Sequence, residues 1–174
     1  MITPQPTSNN ILVTLQLMTT VPPCFHWAIF VGDPSCSTPC SGIKFHAITV
    51  GQQTETGWSY DKTGFRIDTV DFGVVVAVVI GNLKGKSVDD IDNVLKNIPM
   101  QVPAIDVEKE PRFSCRVWCR EALRRLDKEG IISCSDINAM EKEVWEYGEA
   151  AADILENHKE DWKGPSLVTA HNSK

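Results

Sequence analysis

Phe113-Ser-Cys-Arg-Val-Trp-Cys-Arg-Glu-Ala-Leu-Arg-Arg-Leu126 places a thiol in the first turn of an amphipathic helix, and the rest of the chain can be read around it. Pro111 is tolerated at a helix start, Ser114 is a natural N-cap, and Glu121, Ala122, Leu123, Arg124 and Leu126 are strong helix formers. The pattern predicts a helix that begins beside Cys115, runs to about Lys128 and ends at Gly130 as its C-cap. At 3.6 residues per turn Cys115, Trp118, Cys119, Ala122 and Leu126 share one face, while Arg116, Arg120 and Arg124 share another. The sulfur should therefore point against the protein. The helix dipole and its unsatisfied N–H groups favour thiolate there, and Arg116 adds positive charge. The competing reading makes Cys115 and Cys119 small buried apolar residues, as free cysteines often are.

Upstream of that helix the chain has period two. Ile11–Met18 alternates as a strand, and Phe25–Val31 is a second strand with His26, Ala28 and Phe30 on one face. Ile43–Val50 is a third, antiparallel to the second across a long hairpin that carries Cys36 and Cys40, with His46 near its middle. Trp58–Lys62 and Phe65–Thr69 read as short strands, and Val74–Ile80 as a strand buried on both faces. After Gly81 the spacing becomes helical. Ser87 caps a helix over Val88–Ile98, Pro99 and Pro103 bound an extended crossing into the cysteine helix, and Ser135 or Asp136 caps a last helix reaching about Leu155. Strands followed by helices in blocks predict an α+β domain with an antiparallel sheet packed on the cysteine-bearing helix. The boundaries expected are a flexible tail at 1–10, one domain at 11–156 and a polar, loose C-terminal tail at 157–174.

With 174 residues there is room for one domain and its core. A net charge of −6 and a pI near 5.2 argue against a nucleic-acid partner. No apolar run approaches the length of a membrane span and the N-terminus has no basic leader region, so a soluble, cytoplasmic chain with reduced cysteines is the expectation.

A cysteine nucleophile needs a histidine to take its proton, and that histidine needs a polar partner to fix its tautomer. His26 and His46, on adjacent strands, can supply the base and the orienting group; His158 and His171 lie in the polar C-terminal region. His26-Trp-Ala-Ile-Phe-Val-Gly-Asp33 resembles the histidine strand of the lecithin retinol acyltransferase family and its small phospholipase/acyltransferase relatives. Phe45-His46-Ala47 is similar to their second histidine, and Ser114-Cys115-Arg-Val-Trp118 to the run that opens their nucleophile helix. The order histidine, histidine, cysteine is that of circularly permuted papain-like (NlpC/LRAT-like) thiol enzymes. The Ser114–Leu126 helix also resembles one in small uncharacterised fungal proteins. The resemblance implies a catalytic set of Cys115, His26 and His46 and no cofactor. It also implies a cysteine hydrolase, acyltransferase or cyclase working through an acyl-thioester. The chain ends Ser166–Lys174 without the apolar helix of the membrane-anchored relatives, so a soluble acyl, amide, thioester or peptide substrate is expected, small-molecule or peptidic.

Two other functions fit the same residues. Cys36, Cys40, Cys115 and Cys119 could hold zinc through four thiolates. Alternatively the domain keeps a papain-like shell and binds without turnover. Cys119, one turn along the same face, competes with Cys115 as nucleophile.

Overall fold

The computed structural model describes residues 4–36, 38–68 and 73–171. Six strands form one sheet: β1 (Asn10–Thr20), β2 (Pro23–Gly32), β3 (Ser41–Thr49), β4 (Trp58–Arg66), β5 (Val74–Asn82) and β6 (Ser166–Thr169), in the spatial order β4-β3-β2-β1-β5-β6. Three helices follow the first five strands: α1 (Val88–Leu95), α2 (Cys115–Lys128) and α3 (Ile137–Asn157). The α+β class is as expected.

The strands arise from β-branched and aromatic alternation. Ile11, Val13 and Leu15 of β1, Phe25, Trp27, Ile29 and Val31 of β2, and Phe45 and Ala47 of β3 point to one face, where α1, α2 and α3 bury them with Ile91, Leu95, Trp118, Cys119, Ala122, Leu126, Met140 and Val144. Leu12, Phe30, Cys40, Phe65, Ile67, Val74 and Ala77 form a smaller cluster on the opposite face. The helix starts are fixed by side chains. Ser87 and Asp90 make a reciprocal capping box on α1, and Asp136 accepts from the Asn138 and Ala139 N–H groups at the start of α3. Gly130 follows α2 with φ of 66°, a conformation that only glycine adopts without strain.

Five expectations need correction. The sheet is mixed, because β6 runs parallel to β5, Val76 opposite Ser166 through Val79 opposite Thr169. The 157–174 stretch is thus not a loose tail over its described part: Leu167 and Val168 offer a short apolar edge to β5, and Ala170 donates to the Val79 carbonyl at 3.0 Å and is buried. The 1–10 stretch is likewise tied down where described, with Pro6 buried and the Asn9 carbonyl accepting from Leu83 at 2.9 Å. The two short strands expected before Val74 are one, since β4 continues through Gly64 in unbroken register from Trp58 opposite Thr49 to Arg66 opposite Ser41; the expected end at Thr69 lies outside the described residues. The first helix stops at Leu95, three residues early. No described helix is long and apolar enough to cross a membrane.

One irregularity positions the site. β2 and β3 pair only from Ile29 opposite Phe45 to Gly32 opposite Gly42, although both strands extend further. Their far ends diverge, and α2 begins against the unpaired part of β2.

Candidate functional site

Ser114, in extended backbone at φ −156° and ψ 169°, accepts from the Val117 N–H at 3.3 Å and so sets the first turn of α2. Cys115 follows it, half-buried, with its thiol turned to the unpaired edge of β2. The S–H donates to the Phe25 carbonyl at 3.9 Å, a long contact, and the Trp27 backbone N–H bears on the same sulfur. The thiol thus touches the main chain on both sides of His26. Among the described residues no hydrogen bond joins that thiol to an imidazole.

His26 projects from the face of β2 turned away from the helices, and its Nε2 lies 2.6 Å from His46 Nδ1. His46 in turn places Nε2 3.0 Å from Asp61 Oδ2, across the β3–β4 pair in which the two residues are directly opposite. The carboxylate can only accept, so His46 carries its proton on Nε2 and leaves Nδ1 as an acceptor. His26 must then donate from Nε2. Its Nδ1, the nitrogen next to its own backbone, is left with a free lone pair. Asp61 therefore fixes the tautomer of both rings from two residues away. The sequence reading did not include Asp61; its signal was the register of the hairpin, which a linear chain does not display.

Lys44 sits on the same face, 8 % exposed and with no ion-pair partner among the described residues. Its Nζ lies 3.4 Å from Gln16 Oε1 and 4.4 Å from the centroid of the Phe65 ring. Burial first, then the His46 ring and the Lys44 ammonium, lower the pKa of His26 to about 4. Burial and Lys44 also lower His46, while Asp61 opposes them. Burial lowers Lys44 itself.

The thiol departs from the sequence-based expectation. Burial pushes Cys115 above the ordinary thiol value, and the N–H groups of Trp27, Arg116 and Cys115 offset this only in part, while nearby Cys24 adds to the rise. The Arg116 guanidinium does not activate it, because it is held by Glu110 and Glu141. The resting site is a neutral thiol beside a neutral imidazole pair.

The expected arginine face of α2 is in fact the wall of a buried ion cluster. Arg120, 6 % exposed, reaches Asp106 at 3.2 Å and Glu110 at 3.1 Å and also pairs with Glu141; Arg124 forks onto Asp106 with two contacts of 2.6 Å. Arg116, Arg120 and Arg124 thus face Asp106, Glu110 and Glu141, three charges against three. This ties the 104–110 crossing and α3 to the cysteine helix.

The remaining cysteines separate. Cys119 is fully buried in the helix-side core, with its thiol pushed far above the ordinary range, so it packs as an apolar group and offers no accessible sulfur. Cys40 lies in the cluster on the opposite sheet face and Cys36 is exposed. The four-thiolate zinc site is therefore not assembled: its cysteines are divided between the two sides of the sheet. His158 and His171 are both exposed and distant in sequence from this chain of contacts, and His171 pairs with Glu143.

Two grooves flank the first turn of α2. One, of about 660 Å³, is lined by Thr56, Trp58, Met100, Val102, Arg112 and Phe113 and ends at Ser114. The other, of about 410 Å³, is lined by Arg116, Asn138, Glu141, Lys142 and Trp145.

Residues 11–162 match the model of a family described as "Family of unknown function (DUF6914)". No curated protein and no solved structure matches the chain.

Proposed function

The chain belongs to that family, whose description names no activity, and from its own side chains we propose a cysteine-dependent acyl-transfer enzyme of permuted papain-like architecture. Cys115 is the nucleophile, His26 the base, His46 the orienting group and Asp61 the anchor of the tautomers. One observation carries this reading. The His26–His46–Asp61 chain leaves the free lone pair of His26 on Nδ1, and the Cys115 sulfur lies against the peptide groups that flank His26. The reaction requires the Cys115 sulfur to exchange its weak contact with the Phe25 carbonyl for one with that nitrogen.

The steps follow from these positions. As sulfur attacks a carbonyl carbon, its proton passes to His26 Nδ1, the C–S bond forms and the carbonyl oxygen takes up the electron pair. The N–H groups of Cys115 and Arg116, which have no acceptor within the helix, stabilise that oxyanion. Collapse breaks the bond to the leaving group, which receives the proton from His26, and an acyl-thioester remains on Cys115. Water, an alcohol, an amine or an internal carbanion accepts the acyl group in the reverse sequence, giving hydrolase, transferase or cyclase. The neutral resting pair favours attack concerted with proton transfer. Acyl groups that are already activated, as in soluble thioesters and esters, suit it better than unactivated amides.

Incubation with a reactive acyl probe and intact mass spectrometry test the reading. An adduct on Cys115, absent in Cys115→Ala and strongly slowed in His26→Ala, is the expected result; an adduct that forms equally without His26 removes the enzyme. The raised thiol favours a second reading, a binding domain without turnover, which predicts no adduct at any pH between 6 and 8.

A further inference from the structure

We propose that the groove lined by Trp58 and Phe113 is the acyl subsite and that it takes an acyl group with an aromatic, apolar body and an anionic end. This rests on the acyl-transfer reading and specifies its substrate. Ser114, the residue before the nucleophile, lines the groove, so a group lying in it has its carbonyl beside the first turn of α2. Its apolar wall is the edge-to-face pair of Trp58 and Phe113, ring centroids 5.4 Å apart, with Met100 and Val102 beside it, while Thr56, Gln101 and Arg112 add polar atoms. Its volume, about 660 Å³, is that of a small-ligand site.

The anionic end follows from Arg112 at the rim. The chain has six arginines. Arg66, Arg116, Arg120, Arg124 and Arg125 each pair with a carboxylate, whereas Arg112 has no ion-pair partner among the described residues and is exposed. In an acidic protein that neutralises every other guanidinium, the unpaired one stands where a ligand enters. A carboxylate or a phosphate would meet it with charge-assisted hydrogen bonds. The groove on the other side of Cys115 differs: Arg116 and Glu141 already neutralise each other there, and it is left to the leaving group and the acceptor.

The test uses N-acetylcysteamine thioesters of four acids: acetic, 3-phenylpropionic, 3-(4-carboxyphenyl)propionic and its neutral 4-carbamoyl analogue. Acylation of the full chain is followed by intact mass. In each reaction the thioester C–S bond breaks, a new C–S bond forms to Cys115, and N-acetylcysteamine leaves with the Cys115 proton. Phenylpropionyl should react about tenfold faster than acetyl, and carboxyphenyl about tenfold faster than carbamoylphenyl. Arg112→Gln should erase the second ratio alone, Trp58→Ala should shrink the first, and Lys163→Gln, exposed and outside both grooves, should change neither. Equal rates for all four overturn the subsite while the acyl-transfer reading stands. If nothing acylates, that reading fails, and calorimetry of the uncleavable 3-(4-carboxyphenyl)propanamide with Cys115→Ala decides the groove. Binding that Arg112→Gln abolishes supports it, and the absence of binding overturns it.

Discussion

Two buried polar clusters lie within a turn or two of Cys115, and they are built on opposite principles. The arginine cluster on the helix side is saturated: three guanidiniums, three carboxylates and several forked contacts. The histidine chain on the other side of the sheet is incomplete. It runs from a carboxylate through two rings and stops at a nitrogen with no hydrogen-bond partner among the described residues, beside a lysine that makes no ion pair among them. A buried charge whose partners are all present holds structure, because removing any member strands the rest. A buried chain with an unfilled end is available for chemistry.

Six changes would break or sharpen that contrast. Cys115→Ala should abolish acyl-adduct formation, whereas His26→Ala should slow it by about 10²- to 10⁴-fold with an unchanged urea midpoint, the range for a lost general base. Arg120→Met should do the converse, leaving three carboxylates without their central partner and lowering stability by about 3–5 kcal/mol in urea titrations. Asp61→Asn keeps the shape of the anchor but lets its amide donate to His46 and reverse both tautomers. Acylation should fall about a hundredfold with little change in melting temperature.

The last two concern pH. His26 has a pKa of about 4 in the folded state against 6.5 when unperturbed. The unfolded chain therefore binds more protons between these values, so this group's contribution to stability is full above pH 6.5, declines as the pH falls, and is gone below about 4. In His26→Gln the stability curve should be flatter across that window. Lys44→Met removes a charge that helps to hold the pKa of His26 down, so the acid limb of the acylation profile should move to higher pH, the smallest effect of the set. Iodoacetamide should label Cys115 more slowly than a free cysteine at pH 7 and speed up above pH 9, because burial raises the thiol. Faster labelling at neutral pH would contradict the neutral pair described above.

The sequence was most readable where local chemistry decides the outcome. Ser87, Ser114 and Asp136 cap their helices and Gly130 ends α2 because each acts on backbone within four residues. The meeting of His26 with His46 was also accessible, since period-two alternation and a hairpin put both on one face. That face, however, is the one turned away from α2, and the thiol comes near His26 only at the edge where β2 and β3 part; strand alternation carries no sign of such a divergence. Asp61 depended on register across a second hairpin. The ion cluster on the arginine face was not legible, because its carboxylates come from the 104–110 crossing and from α3. The strand at Ser166–Thr169 is four residues long and borrows its order from β5.

Asp61 ends the histidine chain with 38 % of its side chain exposed, at a surface away from the helices. Under the proposed chemistry this makes the sheet a partition. Acyl traffic enters and leaves on the side of the grooves, while the protonation of the histidine pair is set from bulk water behind it, by way of Asp61. Mass and solvent protons would then use separate doors, and a bulky substrate seated over the nucleophile would not stop the rings from equilibrating with water.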